Sequence, residues 1–323
     1  MFAWIAKFIF IFQLLFVGSC FVTPVWSAEN KATVALIIDS DSRIHEKAVT
    51  GIKQAIEKED IHLRIVNIND EASSAAINSA DINYAIAVGV KPASFAMKNN
   101  PAYPVLYTLV PESTYKKIIK DLIPASDHSP KDDYVIYLGQ DASRQLALTR
   151  LVAGNSGRVG AVIGLHSGEQ IKNLRSAASR TNTSLVTKQT LSENSAIDDI
   201  KQILKESDVY LALYDTNVLN RHNAKWLLYM AYKMSKPVIG FSSSYTRAGA
   251  VASIFSTPEQ IGRQSGEWLI DMLNHRAVPK EQTPKYFTVT TNPNIQRMLK
   301  LERLSGEQLK KRIKHLEGGV NHD

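Results

Sequence analysis

Apolar and polar positions follow one repeating unit along the chain: a short apolar run, a polar loop, then a stretch with apolar residues at helical spacing. Residues 33–38 read as a continuous run closed by Asp39, as a strand buried on both faces should. Ala48, Ile52, Ala55 and Ile56 then recur at helical spacing. Residues 62–68 give the next strand, 85–88 one that ends at Gly89, and 105–109 one that ends at Val110-Pro111. The unit starts again with a strand over 134–138 and a helix over 142–152. Strands over 159–164, 186–190, 209–213 and 237–241 follow, with helices over 167–180 and 195–206 between them. This alternation predicts an α/β chain of two lobes, each a doubly wound parallel sheet of ordinary domain size. The polar segment 124–133 reads as the first crossover between them.

Such sheets bind ligands beyond the carboxyl ends of their strands. Two lobes facing each other would line one interlobe cleft with both sets of loops, and closure would bury a ligand there. The ligand-binding candidates are therefore the strand-end residues Asp39, Ser40, Ser42, Gly89, Lys91, Thr108, Gln140, Asp141, His166, Tyr214, Asp215, Ser242, Ser243 and Tyr245.

Each has a plainer reading beside it. Asp215 could pair with a ligand amine or make an Asx-turn. Of Asp39, Ser40 and Ser42, one is expected to cap the following helix while another faces the ligand, and the N–H groups of that helix start could hold an anionic oxygen. The serines at 242–244 are hydrogen-bonding or turn residues, because Gly240-Phe-Ser242 lacks the closing glycine of a nucleophile elbow. Arg247 could hold an anion or make a surface salt bridge. Tyr107, Tyr137, Tyr214 and Tyr245 could stack on a flat ligand or bridge core and surface. The glycines of 154–160 follow a helix and lead into a strand, so they read as a helix stop, not a dinucleotide fingerprint. The eight histidines show no metal-ligand spacing.

The first 27 residues bear on where the protein works. Lys7, an apolar run over 8–17, Pro24 and Val25-Trp-Ser27 read as a secretory signal cleaved after residue 27. Two alternatives stay open: a lipoprotein attached through Cys20, or an uncleaved anchor over 8–26. Cys20 is the only cysteine, so a mature chain beginning at Ala28 has no disulfide, thiol nucleophile or cysteine-ligated metal. The net charge is +7, with Lys300, Arg303, Lys310, Lys311, Arg312 and Lys314 near the C-terminus. Glu302, Glu307 and Glu317 are interleaved, which favours a solvated amphipathic helix. Export and the lack of an aromatic-basic groove pattern argue against nucleic acid.

The loop order resembles the type I periplasmic binding proteins, and more closely the substrate-binding proteins of ABC importers of the tryptophan/tyrosine type. The resemblance rests on Ser235-Lys-Pro-Val-Ile-Gly240, Ala248-Gly-Ala250, the run from Pro258 to Gln264, Thr291-Asn292, and the stretches Tyr137 to Gln140 and Arg144 to Leu146. It implies three crossings between lobes. The N-terminal lobe would comprise 32–133 and 256–279, the C-terminal lobe 134–255 and 280–291, and 292–323 a helical tail. Lys91 and Val110-Pro111-Glu112 depart from the family's usual residues. The implied function is an exported, periplasmic, monomeric protein that closes around an amino acid-like or aromatic metabolite and delivers it to an ABC permease. The alternative is a sensory binding protein that presents ligand to a receptor or kinase ectodomain. No cofactor, metal or catalytic residue is expected.

Overall fold

The computed structural model describes residues 31–122, 133–154, 157–165, 167–192 and 194–319. Residues 1–30, which carry the expected export signal, most of the 124–133 segment and His166 lie outside them. Two six-stranded sheets organise the rest.

The first lobe is built from β1 (Ala32–Ile38), α1 (Arg43–Ala55), β2 (Ile61–Asn67), α2 (Ser73–Ile77), β3 (Tyr84–Val88), α3 (Val90–Asn99), β4 (Val105–Val110), α4 (Glu112–Leu122) and β5 (Asp133–Tyr137). The second runs through α5 (Ala142–Ala153), β6 (Val159–Ile163), α6 (Gly168–Arg180), β7 (Leu185–Gln189), α7 (Ala196–Glu206), β8 (Val209–Leu211), α8 (Arg221–Lys233), β9 (Val238–Gly240), α9 (Ser243–Ala248) and β10 (Ala252–Phe255). The chain then returns through α10 (Pro258–Leu273) and β11 (Glu281–Gln282), and ends in β12 (Thr288–Thr291), α11 (Pro293–Met298) and α12 (Gly306–Gly319).

The sheet orders are β11-β5-β4-β3-β1-β2 and β12-β10-β9-β8-β6-β7. Each is the same doubly wound order, closed at one edge by a strand from the C-terminal third. All pairs are parallel except β10 with β12. Burial explains the sequence pattern. Central β4 is buried at every position, hence its unbroken apolar run, whereas edge strand β2 is half-exposed. Helix α10 packs on α1 and places Trp268 beside Tyr84 and Tyr134 in the first lobe's core.

Two expected boundaries need correction. The strand at 133–137 belongs to the first sheet, where Tyr107 pairs with Val135, so the first crossing follows Tyr137 and does not fall at 124–133 as expected. Glu281 and Gln282 also belong to the first sheet, because they extend β5 in parallel. The third crossing therefore falls at 283–287. β10 and β11 were not anticipated, because Ser253 interrupts the apolar run of β10 and β11 consists of two polar residues.

The three crossings are tied together by side chains. Gln140 Nε2 donates to Ser256 Oγ at 2.7 Å, and Ser256 Oγ donates in turn to the carbonyl of Tyr286. Arg144 Nη1 reaches both Gln140 Oε1 and the carbonyl of Pro284 at 2.8 Å. Its Nε donates to Glu317 Oε1 of α12 at 2.6 Å. The guanidinium also lies 4.3 Å from the Phe287 ring centroid. A buried charge with this many acceptors holds α5, the crossings and α12 together. The tail helix buries Leu309 and Ile313 against the second lobe and leaves Lys311, Arg312 and Lys314 in solvent.

Candidate functional site

Strand order reverses between β1 and β3 in the first sheet and between β6 and β8 in the second. A parallel sheet opens a crevice at that point, beyond the carboxyl ends of its strands. An aspartate stands at each.

In the first lobe it is Asp39, directly after β1. Its Oδ2 accepts from Lys91 Nζ at 3.0 Å, and its Oδ1 from Asn69 Nδ2 at 3.1 Å. The Lys91 ammonium holds the Asp39 carboxyl below the usual carboxylate range, with Asn69 adding to the effect. His45 Nδ1 accepts the Asp39 N–H at 3.1 Å, and burial pushes that imidazole's pKa down. Gly89 has a φ of 97°, and a Cβ there would stand 2.4 Å from His45 Nε2, so the position requires glycine. The Ser40 N–H donates to Asn67 Oδ1 at 3.3 Å. Ser42 occupies the N-cap of α1, yet its side chain caps nothing. The turn is closed instead by Asp39, whose Oδ1 accepts the Asp41 N–H at 3.3 Å. Thr108 is fully buried, and its hydroxyl accepts from Ser265 Oγ at 3.2 Å.

In the second lobe the aspartate is Asp215, and it faces inward. Oδ2 accepts the Gly164 N–H and the Ser167 hydroxyl, both at 2.7 Å, and Oδ1 accepts the Asn217 N–H at 3.0 Å. A Cβ at Gly164 would meet Asp215 Oδ2 at 2.7 Å. The Asx-turn reading thus describes Asp215 in this conformation, with two further bonds tying β6 to β8.

One cavity holds about 440 Å³, within the range of small-molecule sites. It lies against the crossings and is lined from both lobes. Tyr137 and Glu112 come from the first, Tyr214, Phe241 and Ser242 from the strand ends of the second, and Gln140, Asp141 and Ser256 from the crossings. Four of the candidates therefore meet there: Gln140, Asp141, Tyr214 and Ser242. Asp141 also caps α5, accepting from the Ser143 N–H at 2.8 Å and the Arg144 N–H at 3.4 Å. Asp39, Ser40, Ser42, Gly89 and Lys91 stand at the first lobe's own crevice, outside the lining. Ser243 and Ser244 are taken by Arg247, at 3.1 and 2.9 Å. Tyr245 is buried, its ring 4.6 Å from that of Phe241.

Several lining residues were not anticipated. Phe241 packs edge-on against Tyr214 at 5.4 Å and extends the same aromatic wall of the cavity. Its signal was an aromatic directly after Gly240, at a strand end. Gln145, Gln170, Asn173 and Arg180 come from α5 and α6. Gln170 Oε1 is buried without a hydrogen-bond partner among the described residues. Arg180 is held by the hydroxyls of Ser176 at 2.8 Å and Ser143 at 3.0 Å. No group of three or more His, Cys, Asp or Glu among the described residues is placed to hold a metal. No described helix is long and apolar enough to cross a membrane.

Solved structures share this architecture. The ligand-free, open form of CD0873, a substrate-binding protein with adhesive properties from Clostridium difficile, is 19% identical with a TM-score of 0.65, over 86% of this chain and 97% of that one. An ABC domain in complex with L-Trp from Streptococcus pneumonia is 13% identical with a TM-score of 0.55, over 87% and 98%. A conserved domain protein from Vibrio cholerae is 17% identical with a TM-score of 0.54, over 87% and 98%. At such identities the likeness is one of fold. No curated protein sequence matches the chain. The family itself is shown by sequence: residues 144–309, more than half of the chain, match the ABC transporter substrate binding protein family. They run from the buried arginine at the crossings, through every strand of the second sheet, to the tail helix, and so this chain is a member of that family.

Proposed function

We propose that this protein is exported to the periplasm, closes its two lobes around a small aromatic or amino acid-like metabolite, and delivers it to an ABC permease. The observation that carries this reading is the cavity of about 440 Å³, lined by both lobes and set against the crossings about which they would turn. Rotation about the crossings changes that volume directly, so a ligand touching both lobes stabilises the closed form by its differential contacts.

The lining supports a ligand with a flat apolar body and polar ends. Tyr214 and Phe241 offer ring faces and edges on one wall. Gln140, Ser242 and Asn173 offer hydrogen bonds, and the unpartnered Gln170 Oε1 would accept one from a ligand N–H or O–H. Glu112 pairs with Lys116 at 2.6 Å and Asp141 caps α5, whereas Arg180 is held by neutral hydroxyls and keeps its charge. Recognition would therefore rest on amides, hydroxyls and rings, with Arg180 available to a ligand carboxylate.

A thermal-shift screen of the purified protein against amino acids, nucleosides, sugars and small anions tests the reading. A ligand at a hundredfold excess over its Kd adds about 2.7 kcal/mol of stability, and an aromatic amino acid or similar compound is expected to give the shift. A response confined to sugars or to inorganic anions would sink the ligand assignment. Delivery is tested separately: loss of the gene should abolish uptake of the same compound, and unchanged uptake would favour presentation to a sensor ectodomain.

A further inference from the structure

The second lobe has a concave apolar surface that ligand closure does not use. Between α8 and α11 lies a groove of about 310 Å³, walled by Tyr229, Tyr232, Ile295 and Met298, with Lys225 and Lys236 at its edge. Tyr229 is 58% exposed, Tyr232 54% and Met298 40%. Scattered exposed apolar residues need no explanation, but three converging on one groove do.

Its position is fixed by the register. Thr291, the last residue of β12, pairs with Ala252, the first of β10, so α11 starts at the amino ends of the parallel strands. Lys236 precedes β9 and donates to the carbonyl of Ser207, which precedes β8. Tyr214, Phe241 and Ser242 follow the carboxyl ends of the same two strands. The groove is therefore at the pole of the lobe opposite the cavity, and lobe closure leaves it unchanged.

Charge decides what fits it. Residues 216–258 contain no aspartate or glutamate, and neither do residues 282–301. These two segments supply every lining residue; Lys225 and Lys236 line the groove and Lys233 Nζ lies 5.7 Å from the Tyr229 ring, while Arg221, Arg297 and Lys300 are exposed on the same segments. From outside these segments, the exposed Asp208 lies 4.0 Å from Lys236 and offsets part of that lysine's charge. Glu302, the next acid after the second segment, is engaged by Arg312 at 3.2 Å. A second copy of the chain would bring one cationic rim against another, which long-range repulsion opposes. A bilayer takes up apolar side chains that protrude, whereas these line a hollow. The hollow has room for one or two side chains.

We infer that this groove docks an acidic segment of a partner protein, seating an aromatic or aliphatic anchor between Tyr232 and Met298 while carboxylates meet the lysine rim. Such a contact combines a buried anchor with steering charge. It would hold open and closed forms equally, so it acts as a tether or assembly contact and not as a reader of ligand.

The test is fluorescence anisotropy with a labelled peptide carrying a Phe-Leu pair flanked by three glutamates on each side. Controls replace the apolar pair by alanines, or the glutamates by lysines. The acidic apolar peptide should bind about tenfold or more tighter than either control, and added salt should weaken it. Tyr232→Ala and Lys225→Glu, both at exposed positions, should each reduce its affinity without lowering Tm. Equal binding of all three peptides, or full binding by both variants, would overturn the proposal. So would binding to phosphatidylglycerol-containing vesicles with none to the peptide, which would make the face a membrane contact.

Discussion

The two switch-point crevices are built alike and filled differently. In the first lobe, Asp39 reaches outward to an exposed lysine on the next strand end, Lys91, whose side chain is 76% accessible. In the second, Asp215 turns inward and takes donors from Gly164, Ser167 and Asn217 of its own lobe. Both aspartates are buried, but one pairs with an exposed lysine and the other is taken up by its own lobe's framework. The surroundings follow suit: the second lobe presents the Tyr214 and Phe241 rings at its strand ends, the first a charged and polar cluster of Asp39, Asn69 and Lys91. An aromatic wall in a partly enclosed cavity is where a ligand gains most from leaving water. On the proposed function, the second lobe and the crossings would make first contact, with the first lobe arriving on closure.

The largest expected effect breaks the framework half of that comparison. Asp215→Ala leaves the Gly164 and Asn217 N–H groups and the Ser167 hydroxyl without their acceptor in a buried site. One unsatisfied buried group costs roughly 1–3 kcal/mol, and partial relaxation among three neighbours brings the expected loss to about 3 kcal/mol. Chemical denaturation should show a lower midpoint, with Asp215→Asn between the variant and the parent. Unchanged stability with abolished ligand binding would instead place the carboxylate against a ligand amine.

Phe241→Ala tests the aromatic wall. Its ring touches Tyr214 on one side and Tyr245 on the other, so truncation removes both a ligand face and the support of a second one. A central aromatic contact is worth about 2 kcal/mol, a loss of about thirtyfold in affinity. Titration calorimetry at 25 °C, well below Tm, separates this from any effect on folding. An affinity within threefold of the parent, about 0.7 kcal/mol, would move the ligand away from the second lobe.

Much of this architecture was legible because buried parallel strands write themselves as apolar runs, as at 34–37 and 105–110. Sheet membership was not legible. Tyr134 to Tyr137 carry the same pattern as the strands of either lobe, and only their hydrogen-bond partners, Leu106 and its neighbours, assign them to the first. The candidate site was half legible for a related reason. Strand-end loops identified Gln140, Asp141, Tyr214 and Ser242, but Asn173 and Arg180 sit on the polar stripe of an amphipathic helix. A stripe facing a cavity has the same period as one facing solvent. Thr108 and Tyr245 fail the other way. Both stand at or near strand ends, but their side chains turn into the core, where Thr108 meets Ser265.

Lys91→Met carries the smallest expected effect and sharpens the surface half of the comparison. The Asp39 carboxyl lies below its usual range because of Lys91, so the folded state holds that proton less tightly than the unfolded one. The stabilisation is fully present above the unfolded aspartate value, about 3.9, and disappears as pH falls through the lower folded value. Parent and variant should therefore differ slightly in Tm at neutral pH and converge in strong acid. His45 contributes a separate slope, since burial lowers its pKa and stability falls as pH drops from the unfolded value, about 6.5, towards the folded one. Ligand affinity should change by less than about threefold, or 0.7 kcal/mol, because Lys91 lies outside the cavity lining. A much larger loss of affinity would mean that closure carries the first lobe's crevice onto the ligand, with Lys91 exchanging Asp39 for a ligand anion.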